Sequence, residues 1–517
     1  MPEPAARNPD WGTRFEILLV AAGLVVVGFL FADSYREPAA PMTFSLAEGA
    51  AGVEETWSGL YVGDEKIGYS VHREAPRDDG GLILQERTHL QITLLGAPNQ
   101  IDLANDVYIA PDGGVERLRS QVRTEVKGVP VTLRADGRRA GKGMELDLFQ
   151  GGAKLTTMEL EDVPATTATL YRAITAAPRA PGDVLSLPYF NPLSLGAAEA
   201  KVTVTGREPA TTPDGDSVDA LRVRVDNAGQ VLDVLLAEDG RRIEEKEVGG
   251  LGMRVAWETE DTALHTGWPA DAADAVDLIA LSSIPVDRRL PGGGRDVSRL
   301  VLKIEGPDAV DELLAQAHGD DRWNQVTKTL VLERTSLEGD TYQLPSQERA
   351  LEPWLRSTAF IQAEDALVTR TAGKILGDRL EAGDAAVALN TWVHREIQKL
   401  PVAGVPSARE VLESLRGDCN EHTTLYTALA RAVGLPTRLA AGIVYSESIF
   451  ADGAFYYHAW PEVWLGDRWV ALDPTFGQAP ADATHVKLVE GELDKQTELM
   501  AVIGRLRISV VEVEEGT

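Results

Sequence analysis

The chain has 517 residues, a formal net charge of −30, 44% hydrophobic residues and one cysteine. Such a length divides into roughly three domains, and an acidic chain with no basic run or aromatic-interleaved basic stripe excludes nucleic acid, whose binding needs clustered Lys and Arg. One cysteine excludes an intramolecular disulfide, so the fold does not depend on an oxidising compartment, although it can reside in one.

Residues 17–32 form an uncharged apolar run, with Trp11 and Phe15 ahead of it. At ~1.5 Å per residue the run covers about 24 Å, slightly short of a ~30 Å hydrocarbon core. Phe31, between Leu30 and Ala32, makes a poor cleavage site, and Arg7 and Arg14 before the run favour a cytoplasmic N-terminus. Residues 1–36 are therefore read as an uncleaved single-pass anchor, ahead of a cleaved signal peptide and, last, a core helix. This reading places the protein in the cell inner membrane with the bulk of the chain on the periplasmic side. Residues 37–56, rich in Pro, Ala and Gly, read as a linker off the membrane.

Residues 57–265 carry strand signals. Asp-Gly recurs at Asp79-Gly80, Asp112-Gly113, Asp136-Gly137, Asp214-Gly215 and Asp239-Gly240, between short runs of Val, Ile, Leu and Thr, which is a hairpin signature. The alternation over 221–226 and 201–205 suits a half-solvated antiparallel sheet. The expectation is a curved antiparallel sheet or open barrel with one short helix at 166–177. Residues 276–347 read as a small α+β module, with strands over 298–304 and 327–333 and a helix over 307–318. Its Pro291-Gly292-Gly293-Gly294 stretch lacks the Lys-Ser/Thr ending and the preceding apolar strand of a phosphate cradle, so it is read as a flexible turn. The overall fold class is α+β.

Residues 350–500 form a further domain, and 501–517 a C-terminal strand or tail. Helices are expected over 364–376 and 384–398, the latter carrying His394 as a solvated or core histidine. Ser407 caps a short helix over 408–416, with Glu410 three residues on to complete a capping box. After Gly417 the chain presents Cys419 at the start of a helix that Gly434, Leu435 and Pro436 terminate. A lone thiol is ordinarily a small buried hydrophobe. At a first helical turn, however, backbone N–H groups and the dipole stabilise a thiolate.

Two later stretches give that thiol partners. A strand over 457–465 turns at Gly466-Asp467 and returns over 468–472 to Asp473. With a two-residue loop Leu465 faces Arg468, so Trp460 faces Asp473, and His458 and Asp473 become diagonal neighbours on one face within ~7–8 Å at Cα. A bulge at Pro461 would shift that parity. Cys419, His458 and Asp473 then compose a nucleophile, a base and an orienting carboxylate. The Cys419 N–H is one oxyanion donor; Trp392, Gln398 and Asn420 are candidates for a second. Arg416-Gly-Asp-Cys-Asn-Glu-His-Thr, Ala430-Arg-Ala-Val-Gly-Leu-Pro-Thr-Arg438, His458-Ala-Trp-Pro-Glu-Val-Trp and Trp469-Val-Ala-Leu-Asp-Pro-Thr-Phe476 resemble the bacterial transglutaminase-like (papain-like cysteine protease) superfamily. The resemblance covers roughly residues 350–500. It implies a papain-like α+β core, a helix bearing Cys419 packed on an antiparallel sheet, and Cys419, His458 and Asp473 as the catalytic triad.

The residues admit blander readings. His422 lies three residues after Cys419, so Cys419, His422, His458 and Asp473 would make an acceptable zinc set, although His422 is more simply a neighbour of the site or a helix-surface residue. Trp460, Trp464 and Trp469 line a groove or pack across strands; Arg438 and Tyr445 fall near the cleft or on a solvated face. The functional expectation is a membrane-anchored cell-envelope thiol enzyme that attacks amide bonds of a protein or peptide through a thioester, hydrolytic rather than crosslinking, with no cofactor and no metal. The alternatives are a protein-crosslinking transglutaminase and a non-catalytic envelope scaffold on a vestigial catalytic fold.

Overall fold

The computed structural model describes Leu46 and residues 52–516, apart from 95–96, 127–128, 151, 162, 164–166, 192–195, 228–229, 249–250, 270–274, 339–340, 400–406, 448–449, 451, 492–498 and 500–501. The expected anchor over residues 17–32 lies outside the described residues. Among the described residues no helix is long and apolar enough to cross a membrane.

A single 14-stranded sheet occupies the first half. Eight strands, from Glu54–Val62 to Ala153–Leu160, meander outward; six more, from Val184–Asn191 to Met253–Glu258, meander back. The last of them pairs antiparallel with the first, Leu60 opposite Val255. A sheet of this many strands curls to bury one face. The helix Thr167–Thr175 covers part of that face, with Leu170, Tyr171 and Ile174 packed on Val202, Val223 and Leu236. Four of the five Asp-Gly pairs fall between consecutive strands. Asp136-Gly137 does not: it lies inside Val129–Ala140. Gly137 is there for space, because a Cβ would sit 2.7 Å from Met144 Sδ and 2.8 Å from Leu118 Cγ on the flanking strands.

The second half is built on a smaller sheet ordered Ile284–Pro285, Ala454–Trp464, Thr437–Ser446, Val486–Glu490, with Trp469–Ala471 also on Ala454–Trp464. Its first strand comes from the module that precedes the helices of this half. That module's own sheet centres on Val297–Glu305, which pairs with Thr329–Glu333 on one side and with Arg507–Glu515, from the end of the chain, on the other. One core joins these parts: Leu300, Leu302, Val310 and Leu314 pack with Ile443, Val486, Leu488 and Ile508. Burying each such side chain contributes roughly 1.5–3 kcal/mol.

Helices Ala366–Leu376, Ala382–Glu396 and Ala408–Ser414 pack against the helix Cys419–Ala432 through Val368, Leu389, Val411, Leu425 and Leu429. Ser407 caps its helix by accepting from the Glu410 N–H at 3.3 Å. A full capping box stands instead at the next helix, where Asp418 and Glu421 satisfy each other's backbone. The helix Cys419–Ala432 is buried from Glu421 to Arg431 on every face, which fixes its start relative to the sheet beneath.

Candidate active site

Gly417 leads into the cysteine helix at a point where no side chain fits, since a Cβ there would lie 2.1 Å from Glu421 Cβ. Asp418 then accepts the Asn420 N–H at 2.9 Å, and Glu421 accepts the Asp418 N–H at 2.8 Å. This tight entry projects Cys419 from the first helical position. One turn on, Thr423 Oγ1 donates to the Ala459 carbonyl at 3.0 Å, so the helix is bonded to the strand residue next to His458. Cys419 as a residue is half-buried. Its burial, with the charges of Asp418, Glu421 and Asp473, pushes its pKa well above the ordinary value; only the Ala459 N–H opposes them. The helix start therefore does not by itself make a thiolate here, because burial disfavours the charge and two carboxylates stand in the same turn.

The hairpin has the register read from its two-residue loop. Val463 faces Val470 and Trp464 faces Trp469, and the Leu472 N–H donates to the Pro461 carbonyl at 3.0 Å, so Pro461 introduces no shift. His458 and Asp473 consequently meet, with Nε2 and Oδ2 3.0 Å apart and both residues buried. Asp473 Oδ1 accepts the Phe476 N–H at 2.9 Å. Burial alone would raise the Asp473 pKa, but His458 and His485 hold it well below the usual carboxylate range. An ionised Asp473 accepts the Nε2–H tautomer of His458. Among the described residues Nδ1 is buried and has no hydrogen-bond partner, which leaves it as the free base.

His485, which the sequence reading passed over, completes the site. Its Nε2 lies 3.1 Å from Asp473 Oδ2, and its Nδ1 lies 3.1 Å from the Asp482 carbonyl and 3.3 Å from Asp482 Oδ1. Asp482 in turn accepts from Arg295 Nη1 at 2.9 Å and Gln478 Nε2 at 2.7 Å. The Arg295 guanidinium sits 3.9 Å from the centre of the Phe476 ring. Phe476 stacks on His458 at 5.0 Å, and Trp460 flanks the same imidazole at 6.1 Å. Only one signal for His485 exists in the sequence: an Asp-x-x-His spacing, Asp482 to His485, just before an apolar strand.

The Pro291–Gly294 stretch is an ordered 3-10 turn that delivers Arg295 to this network. Gly294 adopts a positive φ of 89°, and its Cβ position lies 2.9 Å from the Tyr445 ring, so only glycine allows the approach. Tyr445 is fully buried and its hydroxyl donates to Glu447 at 2.8 Å; it is a core residue, not a cleft residue. Arg438 pairs with Glu462 and Glu490 at 2.7 Å and stacks over Trp469 at 4.3 Å. Trp464 packs against Trp469, so both serve cross-strand packing. His394 Nδ1 lies 3.0 Å from the Pro474 carbonyl.

His422 bonds back to its own helix, with Nδ1 2.6 Å from the Asp418 carbonyl, and burial pushes its pKa down to about 4. It is not among the residues that converge closely enough to hold a metal ion. Among the described residues that set is His458, Asp473 and His485, whose ligand atoms lie within 4.8 Å of one another. Of the candidate oxyanion donors, Asn420 Oδ1 accepts from the Tyr457 hydroxyl at 3.0 Å, which fixes its side chain at the residue after Cys419. Gln398 is exposed in a two-residue strand. Trp392 lines a groove with Thr371, Lys374 and Arg395 on the outer helices.

The structure thus sets a buried histidine–aspartate pair on the strand that is bonded to the cysteine helix. Residues 369–474 match the Transglutaminase-like superfamily. The transglutaminase-like segment thus spans the helices and the hairpin that hold Cys419, His458 and Asp473. No curated protein matches the sequence. Among solved structures, a beta-barrel-like protein of a domain of unknown function from Brucella abortus is similar over 39% of this chain and 94% of its own, at 12% identity and a TM-score of 0.33. The "Putative Cysteine Protease" from Cytophaga hutchinsonii is similar over 45% of this chain and 82% of its own, at 15% identity and a TM-score of 0.26.

Proposed function

We propose that this protein is a thiol enzyme that cleaves amide bonds in proteins or peptides through an acyl-Cys419 thioester. The observation that carries the reading is the His458 Nε2–Asp473 Oδ2 bond, which leaves Nδ1 as the free base next to the strand residue bonded to the cysteine helix. Because the thiol is held protonated by its surroundings, the imidazole acts as a general base and not as half of a resting ion pair. His458 Nδ1 takes the Sγ proton as Sγ attacks the amide carbonyl. The carbonyl oxygen gathers charge toward the Cys419 N–H at the helix start. The protonated imidazole then gives its proton to the leaving amine as the C–N bond breaks. A water, activated by the same imidazole, resolves the thioester to a carboxylate and restores the thiol. Asp473 remains ionised throughout, stabilising the imidazolium that forms transiently. The apolar run over residues 17–32 suits a tether to the inner membrane with the catalytic segment outside the cytoplasm.

The reading is tested by comparing the envelope proteomes of cells making the wild type and Cys419→Ala. New protein or peptide termini that depend on Cys419 are the expected result. New isopeptide bonds instead would assign transamidation, and identical proteomes would contradict an enzymatic role.

A further inference from the structure

We infer that His485 is a positioning residue of the catalytic centre: a buried imidazolium, held by Asp482 and Arg295, that clamps Asp473 and sets the basicity of His458. The inference rests on the thiol-enzyme reading above and names a regulator of that same site. Its first support is hydrogen-bond accounting. Both ring nitrogens of His485 face acceptors, Nδ1 the Asp482 carbonyl and Oδ1, Nε2 the Asp473 carboxylate. A neutral imidazole has one donor only, so both bonds require the cation. The Asp482 carbonyl only accepts, so Nδ1 carries one proton, and Nε2, facing a carboxylate held ionised, carries the other.

The second support is the far end of the chain of charges. Asp482 is buried and accepts from Arg295, Gln478 and the Thr484 N–H, the last at 2.9 Å. It is therefore a fixed anion, and the order Arg295, Asp482, His485, Asp473, His458 alternates in sign up to the base. Arg295 comes from the turn of the preceding module, so that module supplies the outermost element of the catalytic network. Burial alone would lower the His485 pKa, yet the bonds to Asp473 and Asp482 raise it to about 9, in agreement with the geometry.

A cation against Asp473 offsets part of the charge that would otherwise bind the His458 proton. Among the described residues Cys419, Tyr456, Lys399 and His422 also interact with the charge of Asp473, with Asp418 and His394 close behind them.

Cys419 is the one thiol of the chain, so alkylation by iodoacetamide reads this site alone. The experiment measures the alkylation rate of the full-length protein from pH 4 to 9, in wild type, His485→Gln, Asp482→Asn and His458→Ala. His485→Gln keeps a donor toward Asp473 and removes the cation. Its acidic limb should move upward by about one pH unit or more, the usual effect of a neighbouring charge. Asp482→Asn, which removes the counter-charge that holds the His485 proton, should move the limb in the same direction. Superimposable limbs in wild type, His485→Gln and Asp482→Asn would overturn the inference. So would one equivalent of bound zinc in the purified protein, released by chelator with recovery of alkylation, since His458, Asp473 and His485 would then be ligands. A wild-type profile identical to that of His458→Ala would instead overturn the thiol-enzyme reading itself.

Discussion

Thr423 Oγ1 donates to the Ala459 carbonyl at 3.0 Å across the interface between the cysteine helix and the histidine strand. Both residues are buried, so this bond sets how close the thiol comes to His458. Thr423→Val keeps the volume but leaves the carbonyl unpaired. Chemical denaturation should show a loss of about 1–3 kcal/mol, and the alkylation rate of Cys419 at pH 7 should fall as the helix start loses its register on the strand.

Asp473→Asn is a test of tautomer. Asp473 accepts three donors, from His458, His485 and Phe476. An asparagine offers one acceptor oxygen and one donor amide, so His458 is driven to carry its proton on Nδ1, where the base must be. Cys419-dependent turnover or alkylation should fall by about 100-fold or more, with secondary structure by circular dichroism retained.

Gly417→Ala places a methyl group 2.1 Å from Glu421 Cβ, a distance no rotamer change relieves. The entry to the cysteine helix must shift, at a cost of roughly 1–3 kcal/mol. Differential scanning calorimetry should record the lower Tm, and the alkylation rate of Cys419 should no longer depend on His458.

His485 also makes stability depend on pH. Its folded pKa is raised to about 9 from the ordinary 6.5. A group raised in this way contributes fully below the unfolded value, and its contribution is lost as pH rises through the folded one. The wild-type Tm should therefore decline between pH 6.5 and about 9, and His485→Gln should remove that component of the slope.

Much of the second half was legible because its signals are local. The two-residue turn at Gly466-Asp467 fixed the hairpin register, and the parity of that register put His458 and Asp473 on one face. The helix start at Cys419 followed from the turn at Gly417 and the apolar run that Gly434, Leu435 and Pro436 terminate, whereas the Asp418–Glu421 capping box emerged only in the structure. What escaped depends on contacts between distant parts of the chain. His485 lies 12 residues beyond Asp473 and Arg295 lies 187 residues before Asp482; no periodicity links them. The strand Arg507–Glu515 pairs with Val297–Glu305, and Ile284–Pro285 with Ala454–Phe455, long-range pairings that local pattern does not encode. Asp136-Gly137 carries a turn signature but is overridden by packing, since the strand needs a residue without a side chain between Met144 and Leu118. The pKa of Cys419 went the other way from the helix-start argument because burial and nearby carboxylates outweigh a partial helix dipole.

The central claim is that His458 is the base for Cys419. The most direct measurement is the rate of iodoacetamide modification at pH 7, followed by intact-protein mass spectrometry, in wild type and His458→Ala. Loss of the base should slow the wild-type reaction by at least about tenfold. Equal rates in the two proteins would contradict the account.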